Sequence, residues 1–305
     1  MSTASLSRIV RRVPFPYRAP TVPRGVEPPP VRRRTGSDFP TEWARRYPAR
    51  LTRLVLLEAV MRPMVAGIAP PERRGLDRLD GLEGPVIFAA NHHSHIDTPL
   101  MLTSIPEPWR HRTFVGAAAD YFFGNRVTGT LSALALNAVP IERTRISRDS
   151  ADRAAELIDD GWSLVIFPEG GRSPDGWGQE FRGGAAYLAL RCGVPIVPVH
   201  LAGTGRVLAK GDTTPTRAHT TVTFGAPIVP TDADDTRRLA AALERRVAEL
   251  ADEATTDWWQ ARRRAAVGET PSLAGPDAAG WRRAWALGER DPKRRRTRRR
   301  WPDLS

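Results

Sequence analysis

After an apolar run, Val86 to Ala90, the sequence continues Asn91-His92-His93-Ser94-His95-Ile96-Asp97-Thr98-Pro99. Thr98 and Pro99 read as an N-cap and a first helical position, which puts Asp97 just before a helix and the histidines in a strand-to-helix loop. In such a turn a carboxylate five positions after a histidine folds back onto it, fixes the imidazole tautomer and stabilises the imidazolium formed on proton uptake. His92 and Asp97 are therefore a candidate general-base dyad. The loop has two competing readings. Its histidines and aspartate are metal-ligand types, but their crowding matches none of the usual zinc spacings, so no metal is expected. The histidines also suit a loop in which they merely fill polar sites.

A second loop, Pro168-Glu169-Gly170-Gly171-Arg172-Ser173, follows the apolar run Ser163 to Phe167, again at the C-terminal end of an expected strand. Open α/β sheets bind ligands beyond that edge. Glycines admit backbone amides to an anion, and Arg172 supplies a forked donor for phosphate. Glu169 is an odd neighbour for phosphate; it suits accepting hydrogen bonds from a substrate hydroxyl, or holding Arg172. Arg143 closes a strand at Val139 to Ile141, and Arg182 precedes Gly183-Gly184 at a helix start. With Arg172 they form a candidate anion pocket, although an isolated arginine at the end of an element is usually just solvated.

The elements that must position these groups read as alternating strands and helices. Strands are expected at Val86 to Ala90, Thr113 to Gly116, Val139 to Ile141, Ser163 to Phe167, Pro195 to His200 and Thr221 to Phe224. Helices are expected at Arg126 to Leu136, Ser150 to Asp160, Gly184 to Arg191 and Asp232 to Ala251. This pattern predicts an α/β fold, a mixed, mainly parallel sheet flanked by helices. Ahead of it, a helical turn at Trp43 to Tyr47 leads into an amphipathic helix from Ala49 to Met61, with Leu51, Leu54, Val55, Leu57 and Val60 on one face. Such a helix suits a membrane interface or packing against the sheet. The chain divides into a disordered Pro/Arg-rich arm (1–38), a helical segment (39–70), an α/β domain (71–265) and a Trp/Arg-rich tail (266–305).

The chain has 305 residues, 41% of them hydrophobic, and a net charge of +12. That charge sits at the ends: residues 1–50 carry 11 Arg against 3 acids, residues 281–305 carry 10 Lys/Arg against 3 acids, and the remainder is −3. Basic ends suit an extended anionic surface such as phospholipid headgroups, and suit solvated tails equally. Trp258, Trp259, Trp281 and Trp285 among arginines fit a headgroup boundary, or a helix docked on the core. No apolar run reaches bilayer-spanning length, and the N-terminus lacks the apolar region of a secretory signal, so a cytoplasmic location is expected. The single cysteine, Cys192, allows no intrachain disulfide or CxxC site and is expected to pack.

In order, Asn91-His92-x4-Asp97, Val139-Pro140-Ile141-Glu142-Arg143, Phe167-Pro168-Glu169-Gly170-Gly171-Arg172-Ser173 and Val194-Pro195-Ile196-Val197-Pro198-Val199 resemble the four motif blocks of the glycerolipid acyltransferase family, whose best-known members are lysophosphatidic acid acyltransferases. The match runs from about Arg50 to Pro230. The resemblance implies His92 as general base with Asp97 as its partner, and Arg143, Glu169, Gly170 and Arg172 at the glycerol phosphate, with Arg182 where lysine is common. It also implies an acyl-CoA or acyl-ACP donor as co-substrate, no cofactor, and a lysophospholipid acceptor. With the basic ends, it implies an enzyme at the inner face of the plasma membrane and no specific nucleic-acid partner. Gly171 stands where the family usually has threonine, so a glycosylated lipid is an alternative acceptor. With no serine elbow or reactive cysteine, direct transfer is simpler than an acyl-enzyme. A non-catalytic lipid or nucleic-acid binder would leave the His92 to Asp97 spacing unexplained.

Overall fold

A computed structural model describes residues 36, 38–141, 148–173, 175–209, 212–231 and 234–275. The expected disordered arm, Arg143, Trp281, Trp285 and the terminal basic run lie outside them, apart from residues 36 and 38.

Helix α1 (Tyr47–Val55) passes through a π-helical turn (Leu56–Met61) into α2 (Arg62–Ile68). The alternating part follows: β1 (Pro71–Arg74), β2 (Ile87–Ala90), α3 (Asp97–Ser104), β3 (Thr113–Ala118), α4 (Arg126–Leu136), β4 (Ala138–Ile141), α5 (Arg148–Asp159), β5 (Ser163–Ile166), α6 (Gly184–Cys192), β6 (Ile196–Ala202), β7 (Thr220–Phe224), α7 (Thr236–Thr255) and α8 (Trp258–Val267). Helix starts follow capping chemistry. Asn125, Asp235 and Asp257 each accept an amide of the following first turn, from Val127, Arg238 and Gln260 at 2.8 Å. Asn137 and Gly193 end α4 and α6 in the left-handed region.

The seven strands form one sheet in the order β1-β7-β6-β2-β5-β3-β4. Every pairing is parallel except β6 with β7. Strand β2 is buried throughout, as a central parallel strand covered on both faces must be. Its side chains alternate between two cores. Val86, Phe88 and Ala90 pack with Val65, Leu100, Met101 and Phe224 on one face, while Ile87 and Ala89 pack with helices α5, α6 and α7 on the other.

β2 and β5 are neighbours with diverging exits: the chain leaves β2 through α3 on the first face and leaves β5 through α6 on the second. Their C-terminal ends therefore open a crevice, where α/β sheets place ligands. Both candidate loops lie there.

The structure departs from expectation in four places. β1, Pro-Glu-Arg-Arg, is an exposed edge strand with no apolar alternation to announce it. Helix α3 begins at Asp97 itself, with Ile96 at the N-cap position and no capping by Thr98, because the Asp97 carboxylate turns back to satisfy loop amides. The N-terminal helix starts at Tyr47, with Pro48 in its first turn, and continues beyond Met61. Pro63, which has no amide to donate, is tolerated in the first turn after the π segment. Helix α8 runs to Val267, across the boundary expected at residue 265.

Candidate functional site

The loop after β2 is tied down before it can present any side chain. Asn91 is fully buried and pairs with the backbone of Leu201 on β6, donating to its carbonyl at 2.9 Å and accepting from its amide at 2.7 Å. Next along the loop, His92 Nδ1 lies 2.8 Å from Asp97 Oδ2. That oxygen also accepts from the amides of His93 at 2.7 Å and Ser94 at 2.8 Å. Asp97 is fully buried, whereas His92 remains partly exposed and faces a cavity. With Nδ1 engaged, Nε2 is the nitrogen left to exchange a proton with a ligand.

The three loop histidines have separate fates. His93 turns inward beside Asn91, and burial holds its imidazole below the ordinary histidine range. His95 stacks on Tyr121, with its Nε2 3.0 Å from the phenol oxygen. Burial, then the neighbouring Arg172 and His92 side chains, lowers its pKa as well. Only His92 joins a carboxylate to the cavity.

The loop after β5 supplies the other wall. Phe167 stacks beneath the His92 imidazole, with centroids 4.2 Å apart and planes at 20°. Glu169 is buried; it accepts from the His92 amide through Oε1 and from the Gln179 amide through Oε2, both at 2.8 Å. The amide of Ser173 donates to the His92 carbonyl at 2.8 Å. Gly170 has φ +71°, and a Cβ there would stand 2.9 Å from Arg182 Cζ, so the glycine lets the guanidinium lie against the loop. Arg172 lies over the Tyr121 ring at 6.0 Å.

These groups surround a cavity of about 390 Å³. Its lining combines polar groups, His92, His95, Arg172 and Arg182, with apolar ones, Val115, Ala117, Phe122, Leu136, Ile141 and Ile166. A cavity of this size lined by both charged and apolar side chains suits an amphiphile.

Of the expected site residues, the structure brings His92, Asp97, Glu169, Gly170, Arg172 and Arg182 together, and Arg143 lies outside the described residues. Phe167, Ser173, Asn91 and Tyr121 escaped the sequence reading as site residues. Phe167 and Ser173 stand inside the quoted third block, so adjacency to Glu169 was the signal available for them.

The acyltransferase family model matches residues 70–202. Among curated proteins, the chain is 33% identical over 140 residues to a chloroplastic 1-acyl-sn-glycerol-3-phosphate acyltransferase of Brassica napus, covering 45% of this chain and 39% of that protein. It is 32% identical over 139 residues to the corresponding chloroplastic enzyme of Arabidopsis thaliana, covering 45% and 37%. The matched stretch spans about two fifths of the length of these relatives. The crystal structure of PlsC, the 1-acyl-sn-glycerophosphate acyltransferase from Thermotoga maritima, superposes with a TM-score of 0.52 at 23% identity, covering 72% of this chain and 84% of that one. That likeness bears on the fold.

Proposed function

We propose, from the match of residues 70–202 to the acyltransferase family model and from the likeness to the 1-acyl-sn-glycerol-3-phosphate acyltransferases, that this chain transfers a fatty acyl group from an acyl-CoA or acyl-ACP thioester to the hydroxyl of a lysophosphatidic acid-like lysophospholipid. The observation that carries this reading is a single cavity lined by the Asp97-braced His92, two arginines and several apolar side chains.

His92 Nε2 takes the acceptor's hydroxyl proton as the oxygen attacks the thioester carbonyl carbon. A positioned base of this kind is worth about 10²- to 10⁴-fold. The tetrahedral intermediate then collapses with cleavage of the C–S bond, and the proton on His92 passes to the departing sulfur. Asp97 supports the transient imidazolium. Arg172 and Arg182 bind the acceptor phosphate, with Arg143 as a further candidate, and Gly170 leaves room for the Arg182 guanidinium. At the start of α3 few amides remain to hold the oxyanion. Pro99 has none, and that of Leu100 goes to Ile96, so Thr98 is the candidate there.

Membrane contact follows from α1 and its continuation. Tyr47, Leu51, Val55, Val60 and Met64 are exposed, whereas Leu57 and Val65 are buried in the core. The steps between the exposed residues are four, four, five and four. The five spans the π-helical turn, whose extra residue per turn keeps the stripe on one face. This stripe dips into the interface while the basic ends contact anionic headgroups at the inner face of the plasma membrane. Among the described residues, no helix is long and apolar enough to cross a membrane.

A second acceptor, a glycosylated lipid, keeps the same catalytic step. It is favoured by Gly171, which lines the cavity without a side chain. The deciding experiment supplies each acceptor with a panel of acyl-CoA and acyl-ACP donors and identifies the products by mass spectrometry. Acyl transfer to lysophosphatidic acid that disappears in a folded His92→Ala variant is the expected result. Undiminished transfer in that variant overturns the mechanism.

A further inference from the structure

The segment after β5 touches His92 at three points: Glu169 Oε1 on its amide, the Ser173 amide on its carbonyl, and Phe167 beneath its ring. Resting on the acyltransferase reading above, we infer that Glu169, which the family resemblance puts at the acceptor, is a positioning residue for the catalytic histidine.

The chemistry of the contact favours this role. The Glu169 carboxylate is 2% exposed, and both of its oxygens accept backbone amides, from His92 on the first loop and Gln179 on the second. Charge-assisted bonds of this kind are about twice as strong as neutral ones. A carboxylate also repels a phosphate, so near the acceptor's anionic end it opposes binding.

The geometry says why such a clamp is needed. Asp97 braces the His92 ring from within the same loop, through the amides of His93 and Ser94. That bracing does not fix the dyad relative to the opposite wall. The segment carrying Arg172 and Arg182 is the one Glu169 bridges to the His92 backbone, and the Arg182 amide in turn donates to Pro168 at 2.9 Å. Glu169 thus sets the distance between the proton-accepting nitrogen and the groups that grip the acceptor. A misplacement of about 1 Å costs a catalytic step on the order of 10²-fold.

Glutamine at this position offers one oxygen and one NH₂ to two N–H donors, so one contact becomes donor against donor. In the full-length protein, with lysophosphatidic acid in mixed micelles and a long-chain acyl-CoA, Glu169→Gln is expected to lower kcat about 10²-fold with little change in KM for the acceptor. Arg172→Ala is expected to raise that KM. Glu169→Asp keeps the charge but reaches only one amide, so its kcat falls less, with KM again unchanged; this variant carries the test where Glu169→Gln does not fold. In substrate-free protein, the His92 imidazole NMR signal, identified as the one missing from His92→Ala, shifts its titration in both variants. An elevated acceptor KM with kcat retained, or an unmoved His92 titration, overturns the inference. Absence of acyl transfer by the wild type strikes the acyltransferase reading instead, and the titration still decides the clamp.

Discussion

One oxygen of Asp97 holds both the ring and the loop of its partner: Oδ2 meets His92 Nδ1 at 2.8 Å and accepts the amides of His93 and Ser94. Asparagine at position 97 can keep the amide contacts through its oxygen, but it removes the charge that supports an imidazolium. Asp97→Asn is therefore expected to lower kcat by about 10²- to 10⁴-fold while the fold and acceptor KM are retained. Steady-state kinetics beside a thermal melt check this. A kcat within a few-fold of wild type would falsify the dyad.

Gly170 and Arg182 form a second dependence. At φ +71°, alanine is strained, and its Cβ meets the Arg182 guanidinium at 2.9 Å. Gly170→Ala is expected to cost about 1–3 kcal/mol of stability and, by displacing Arg182, to raise acceptor KM more than it lowers kcat. Urea titration and acceptor kinetics measure the two effects. An unchanged KM means that Arg182 does not grip the phosphate.

The contact between His92 and Asp97 and the parallel core were legible because each rests on a local signal. Five positions separate His92 from Asp97, and continuous apolar runs mark buried strands such as β2. What was not legible depends on distant partners. β1 has a charged sequence and is a strand only because β7 pairs with it. Arg53 is buried and its guanidinium donates to the Ala44 carbonyl at 2.9 Å, a contact made outside α1 that no local pattern announces. Burial, then Arg45 and Arg50, lowers its pKa to about 10. Glu169 showed its type in the sequence, but its task requires knowing that β2 and β5 are adjacent.

His200 on β6 is enclosed near His93, and burial with that neighbour lowers its pKa to about 4 from 6.5. A histidine kept neutral by the fold binds fewer protons folded than unfolded. Its contribution is therefore fully present above pH 6.5 and lost as pH falls toward 4, with a loss on the order of 3 kcal/mol. His93 shifts in the same direction and adds to the slope. Urea unfolding between pH 4.5 and 7.5 is expected to show stability rising with pH, with the larger part of that slope absent in His200→Leu. A slope that persists undiminished in the variant traces acid sensitivity to other groups.

The exposed stripe of α1 makes a prediction that salt can separate from that of the basic ends. Electrostatic contacts with anionic vesicles weaken as the Debye length shrinks to about 3 Å at 1 M salt, whereas apolar insertion does not. Leu51 and Val55 are both about half exposed, at 51% and 52%, so converting them to glutamate leaves the core intact. It also places two charges on the stripe that the proposed membrane contact would bury. Each side chain contributes up to about 1.5–3 kcal/mol when fully withdrawn from water. Leu51→Glu with Val55→Glu is therefore expected to weaken high-salt co-sedimentation with anionic liposomes by at least about tenfold. Deletion of residues 1–36 and 287–305 is expected to remove mainly the salt-sensitive part. Equal high-salt binding by the double variant and the wild type assigns membrane contact to some other surface.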